Sequence, residues 1–334
     1  MVIAVDAMGG DLAPQAAVQG ALASAERLPV QIVLVGRPQD IEEHLPASAQ
    51  RPANLQIAAA DDVIQMEADP TRGALQRQDA SMFVAVDMVR RQEAEAMVSA
   101  GNSGALLTLA HTQLGVIEGV RRPGIAAPMI SRRGAGVIID GGANADCQPI
   151  HLAQFGLMGS IYAEYALGIE EPRVGLLSIG SEPSKGNSLT RGAFDMLTEM
   201  PINFVGNIEA DGIFNGQADV TVADGFVGNV TLKTAEAMAQ FLMEDLHNCL
   251  RDGLSGKVAA LLLGNKLSSL RQRYDYANYG GAPLLGVQGI AVVSHGRSDG
   301  RAIASAIEVA YRAVESGTIE HLQQVCRQLV VEAN

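Results

Sequence analysis

One short pattern, repeated four times, constrains this chain more than any other feature: an apolar strand, a loop of glycine and small polar residues, then a helix. The clearest copy is Met97–Leu107, MVSAGNSGALL, in which Gly101-Asn102-Ser103-Gly104 breaks a short apolar run and helix formers follow. The others are Met1–Leu22 with Gly9-Gly10-Asp11, Arg173–Leu197 with Ser184-Lys185-Gly186-Asn187, and Ala218–Met238 with Phe226-Val227-Gly228-Asn229. Each junction leaves the first backbone N–H groups of a helix without intrahelical partners, at the positive end of the helix dipole. Glycine lets another group approach that backbone closely, and Asn or Ser caps the helix or donates to a ligand. In a parallel sheet the loops that follow the strands emerge on one edge, and ligands bind there. Recurrence therefore predicts several anion cradles converging on one pocket.

The remaining segments fit the same architecture. Val30–Gly36, Asn54–Ala60, Gly136–Asp140 and Ile290–Ser294 read as strands; Gly73–Glu93, Ile150–Leu167, Thr234–Leu250 and Asp299–Ser316 read as helices. Arg132-Arg133-Gly134 reads as a hairpin tip, and Gly156 and Gly159 as points of close packing in a helix. The predicted class is α/β, an open, largely parallel sheet with helices on both faces in three layers. The parse is a single domain over 1–334 with a projecting helical element at about 250–280; two lobes sharing one continuous sheet is the alternative. With 334 residues and 48% hydrophobic content, a sizeable core can be buried.

Charge and missing motifs narrow the chemistry. A net charge of −13, 4% aromatics and no Trp argue against a nucleic-acid partner. Cys147, Cys249 and Cys326 are widely spaced, which predicts reduced thiols in a cytoplasmic protein and no zinc site. No apolar run reaches membrane-spanning length, and the N-terminus reads as a strand. GxGxxG, GxxxxGK[ST] and GxSxG are all missing, so a dinucleotide fold, a P-loop and a serine-hydrolase elbow have no direct support. Anion loops without an obvious nucleophile suit a reaction whose nucleophile is itself a small anion.

Within that frame Lys185, Asn229, Asp224 and His295 are the catalytic candidates. Ser99, Asn102, Ser103, Gly104, Gly186 and Asn187 are the phosphate-binding candidates. Asp6, like Asp224, follows a buried strand, where acids often just cap backbone amides. Asp11, Asp140 and Asp146 fit no metal spacing. Residues 251–273 reverse the chain's charge locally, with Arg251, Lys257, Lys266, Arg271 and Arg273 against Asp252, and VAALLL lies beside them. That is either a solvated helical hairpin or a docking face for an acidic partner or anionic membrane, with Lys257, Lys266, Arg271 and Arg273 as its contacts.

Several long motifs then agree in order over nearly the whole chain. AVDAMGGD at 4–11, VSAGNSGAL at 98–106, GANADCQPIHLAQFGLMGSIYA at 142–163, GSEPSKGN at 180–187, VGNIEADGIFNGQADVTVADGFVGNVTLKT at 205–234 and YANYGGAPLLGVQG at 276–289 resemble the bacterial phosphate acyltransferase (PlsX) family. The resemblance implies an isocitrate dehydrogenase- or phosphotransacetylase-like fold. It also implies transfer of a fatty acyl group from acyl-[acyl carrier protein] to inorganic phosphate, giving acyl phosphate for phospholipid synthesis. It implies acyl carrier protein and phosphate as partners, a homodimer, loose association with an anionic membrane surface, and no metal or organic cofactor. The chain departs from the family pattern at Leu12, where His is common, at Gln78 and Ala80 within Arg77–Ser81, and at Arg297 in the segment His295–Ser298. The competing readings are a dehydrogenase of the isocitrate type, needing NAD and a divalent metal, and a non-catalytic anion sensor or scaffold at the membrane.

Overall fold

A computed structural model describes residues 1–251, 263–264, 266 and 280–332. Most of the expected projecting element, with Lys257, Arg271 and Arg273, lies outside the described residues; Lys266 is described and exposed. Twelve strands are described: β1 (Val2–Asp6), β2 (Gln31–Gly36), β3 (Leu55–Ala59), β4 (Ala96–Ser99), β5 (Gly124–Ile125), β6 (Ala127–Ser131), β7 (Gly134–Ile139), β8 (Arg173–Leu177), β9 (Asn203–Ile208), β10 (Val220–Val222), β11 (Ala282–Leu285) and β12 (Ile290–Val293). They form two sheets, ordered β3-β2-β1-β4-β12-β11-β5 and β6-β7-β10-β8-β9. Within the first, β3, β2, β1, β4 and β12 run parallel; within the second, β7, β10, β8 and β9 do. Strands such as VIAVD and QIVLVG bury nearly every residue because helices cover both faces, so they read as continuous apolar runs rather than alternating ones.

The α/β class and its parallel strands follow the sequence reading, while the strands divide between two sheets. The chain crosses from one sheet to the other at Ala126, between β5 and β6. Gly141 N–H donates to the Ile125 carbonyl there, so the end of β7 is tied to the edge of the first sheet. Arg132-Arg133 forms the tip of the antiparallel β6–β7 hairpin, as its sequence suggests.

The helices are α1 (Gln15–Arg27), α2 (Pro38–Glu42), α3 (Pro70–Gln76), α4 (Ser81–Arg90), α5 (Ser103–Leu109), α6 (Pro149–Tyr165), α7 (Ser188–Glu199), α8 (Ala210–Asn215), α9 (Gly225–Arg251), α10 (Gly300–Glu315) and α11 (Thr318–Glu332). Gly156 and Gly159 of α6 do allow close packing: a β-carbon on either would come within 2.6 Å of Leu197 or Val220 respectively. The segment 73–93, read as one helix, is two. Asp69 caps α3 by accepting from the Thr71 and Arg72 amides, and the Arg77 guanidinium bonds Asp62 at 2.9 Å. Ala80 pairs with Asp62 as an isolated bridge before α4 begins. Tertiary pairing with Asp62 therefore interrupts a run whose local propensity is helical. Thr234–Leu250, by contrast, is part of a longer helix that starts directly in the glycine loop, at Gly225.

Candidate active site

The strand-end loops of the first sheet interlock around one buried acid. Asp6, 3% exposed, accepts from Ser81 Oγ and Ser99 Oγ, both at 2.6 Å, and from the Met8 amide at 3.2 Å. Burial raises its pKa, opposed by these donors. Ser99 Oγ in turn accepts from the Gly101 amide at 3.0 Å. A β-carbon on Gly9 would lie 2.5 Å from Asp6 Oδ2 and 2.8 Å from the Gly101 nitrogen, so only glycine fits where these loops cross. The Asp11 amide donates to the Gly296 carbonyl at 2.7 Å, adding the β12 loop to the cluster. Asn102 caps α5 through the Ala105 amide, and its Nδ2 donates to the Met66 and Ala68 carbonyls. The side chains of Ser99 and Asn102 are thus engaged by protein groups. Ser103, at the start of α5, is exposed.

The second sheet has a matching arrangement. Asp140, fully buried at the end of β7, accepts from the amides of Ile125, Gly142, Ala143 and Asn144 and from Asn144 Nδ2. Burial again raises its pKa against those donors. Asp224 follows β10 and caps the first turn of α9 by accepting from the Val227 amide at 2.9 Å. Asn229 is exposed one turn into α9, beside Gly142. Lys185 is exposed after β8, its stem against Gly180, and Asn187 caps α7 by accepting from the Thr190 amide. Beneath this loop, Ser178 Oγ and Asn207 Oδ1 are buried without a hydrogen-bond partner among the described residues.

Helix α9 joins the two edges. It leaves the β10 loop of the second sheet and carries Lys233 and Glu236 to the β12 loop of the first. Glu236 Oε1 lies 3.0 Å from His295 Nε2, Lys233 Nζ lies 2.8 Å from the same nitrogen and 3.1 Å from Glu236 Oε2, and Arg297 reaches Glu236 at 3.7 Å. Burial pushes the Glu236 carboxyl up, but hydrogen bonds and charges from His295 and Lys233 outweigh it and hold the group at about 2. Asp11, Lys233, Glu236, Gln240, His295 and Arg297 line an open cleft of about 380 Å³. His295 is therefore brought to a polar cleft, as its sequence position suggests, whereas Lys233 and Glu236 escape a reading that looks only at strand-end loops. Their signal is a stripe along one helix face, Asn229-Lys233-Glu236-Gln240, at spacings of four, three and four.

Cys147, near both Asp140 and Asp224, is no candidate nucleophile. Burial first, then those two negative charges, push its thiol up to about 11, so it carries almost no thiolate at neutral pH.

Residues 1–321 match the family described as "Fatty acid synthesis protein". Proteins called phosphate acyltransferase from Desulfitobacterium hafniense (strain Y51) and Heliobacterium modesticaldum are 45% and 46% identical to this chain, each over 325 residues and 97% of both partners. The chain belongs to the phosphate acyltransferase family. Among solved structures, the family fold is shared with a phosphotransacetylase from Streptococcus pyogenes at a TM-score of 0.61, with 16% identity and 94% of each chain covered. A branched-chain phosphotransacylase from Enterococcus faecalis V583 superposes at 0.59, with 15% identity over 94% of this chain and 99% of that one.

Proposed function

We infer that this chain is an acyl-[acyl carrier protein]:phosphate acyltransferase, moving a fatty acyl group from the carrier's thioester to inorganic phosphate. The observation that carries this reading is a polar cleft lined by Lys233, His295 and Arg297, in a chain whose Cys147 thiol, beside Asp140 and Asp224, is held protonated. Such a site binds an external nucleophile better than it makes one. A phosphate oxygen attacks the thioester carbonyl, the C–S bond breaks as the acyl C–O bond forms, and the carrier leaves as thiolate. Lys185, Lys233 and Arg297 bind phosphate; Asn229 and the amides of Ser103, Gly104 and Gly186 support the anions, the Asn187 amide being taken by Thr190 Oγ1. A lysine about 4 Å from a phosphate charge contributes roughly 4 kcal/mol at an effective dielectric near 20, before desolvation costs. Glu236 already offsets part of that cation set. In this reading His295 protonates the leaving thiolate, and Asp224, which caps the first turn of α9 through the Val227 amide, orients the turn that carries Asn229.

In the same reading, acyl carrier protein and an anionic membrane surface meet the basic segment of Lys257, Lys266, Arg271 and Arg273, and the chain works as a homodimer over a single domain. The same reading takes the protein as cytoplasmic and its membrane association as peripheral; no helix among the described residues is long and apolar enough to cross a membrane. The test is incubation with acyl carrier thioester, with and without phosphate and with a chelator. Release of free carrier together with acyl phosphate, dependent on phosphate and indifferent to chelator, is expected. Carrier release without phosphate overturns the reading. Liposome flotation and sedimentation test the membrane and dimer parts separately.

A further inference from the structure

Of the large hydrophobic residues exposed among the described residues, the two most exposed are Ile179, at 81%, and Phe226, at 66%. Both follow strands of the second sheet, and the strands are neighbours. Val222 of β10 pairs with Leu176 of β8; Ile179 lies three residues past Leu176 and Phe226 four residues past Val222, so both follow the same edge of the second sheet. Val227 and Val230, 40% and 49% exposed, extend the apolar surface along the first turns of α9. The polar candidates are interleaved with it. The Lys185 stem packs against Gly180, next in sequence to Ile179, and Asn229 precedes Val230 in the same turn.

An exposed Ile and Phe are costly to leave in water. Scattered apolar residues need no explanation, but a cluster at the ligand-binding edge of a parallel sheet, with a lysine and an amide among its members, does. Its form is that of a surface for an amphiphile, with an anionic or polarised head held by Lys185 and Asn229 and a tail against the hydrocarbon groups.

We propose that Ile179, Phe226, Val227 and Val230 form the binding ledge for the substrate's fatty acyl chain as it leaves the anion loops, and set the chain-length preference. This rests on the acyl-transfer reading above and gives the apolar half of its substrate a place. The reacting carbonyl must sit by the anion loops, and the chain attached to it must leave from that point, so the adjoining apolar surface meets it first. Each methylene buried is worth roughly fourfold in affinity, from about 0.8 kcal/mol per group.

The test is the double variant I179S/F226S, both exposed positions, compared with wild type on a series of acyl carrier thioesters from short to long chains. The same chain lengths are also titrated as alkyl phosphates by calorimetry. In wild type, kcat/KM and alkyl phosphate affinity are expected to rise with chain length. In the variant, the expected result is a loss of about tenfold or more for long chains with little change for the shortest, so the slope flattens. An equal loss at every length, an unchanged slope, or a change in oligomeric state with the slope intact overturns the ledge. No phosphate-dependent turnover by wild type, with length-dependent alkyl phosphate binding that the variant flattens, overturns the transfer reading and leaves the ledge standing.

Discussion

Glu236 Oε1 lies 3.0 Å from His295 Nε2, which ties a helix rooted in the second sheet to a loop that ends a strand of the first. Lys233 and Arg297 share the same carboxylate, so one acid holds three basic side chains at the mouth of the cleft. The following outcomes are expected.

Glu236 titrates at about 2 in the folded chain against an ordinary 4.5. A folded pKa below the unfolded one contributes stability that is present above pH 4.5 and lost as pH falls toward 2. Discounted for the group's partial exposure, the contribution is roughly 1–2 kcal/mol. The variant E236Q should melt lower than wild type near neutral pH, and the difference should close between about pH 4.5 and 2. Calorimetric scans across that range check it; a gap independent of pH would detach Glu236 from the ion cluster.

Lys185→Ala should lower turnover by about 10²–10³, the usual loss when one preorganised donor to a developing oxyanion is removed. Its melting temperature should barely change, because an exposed loop lysine contributes little packing. If the lysine contacts the nucleophile, KM for phosphate rises as well; if it contacts the thioester oxygen, only kcat falls. Unchanged kinetics would remove Lys185 from the site.

Ser99→Ala removes one donor to the buried Asp6 and the acceptor of the Gly101 amide. Leaving buried polar groups unpaired costs about 1–3 kcal/mol. Urea unfolding should give a midpoint reduced accordingly with an unchanged slope. A loss below about 0.5 kcal/mol would show that the hydroxyl is dispensable where the three loops meet.

Gly228→Ala should be among the most damaging single-methyl changes, because the added β-carbon would overlap the Asp140 carbonyl oxygen, which is backbone and cannot swing away. Overpacking of this kind costs about 1–3 kcal/mol or more. Reduced thermal stability together with weakened phosphate binding is expected, since the first turn of α9 must lift from the strand end.

The class of fold was legible because repeated strand–glycine–helix units leave few other architectures open. The division into two sheets was not, since nothing local marks Ala126 as a crossing point; long-range partners decide it, with Ala126 donating to the Pro283 carbonyl. Loop residues such as Lys185 and His295 stood out by type and position. Ser99 and Asn102 have the same residue chemistry, and only the tertiary fold gives their side chains to Asp6 and the Met66–Ala68 turn. Lys233 and Glu236 lie in mid-helix, where a sequence places ordinary solvated charges, and their role depends on a partner 59 or more residues away.

The seat of α9 is made of main chain: Gly228 rests on the Asp140 carbonyl, and the Gly225 amide donates to the Asn144 carbonyl. A helix anchored by its backbone does not depend on what its first side chains are. Phe226, Val227 and Val230 can therefore be exchanged over evolutionary time without shifting the axis they stand on, and substrate preference becomes a trait that selection can adjust while the frame stays still.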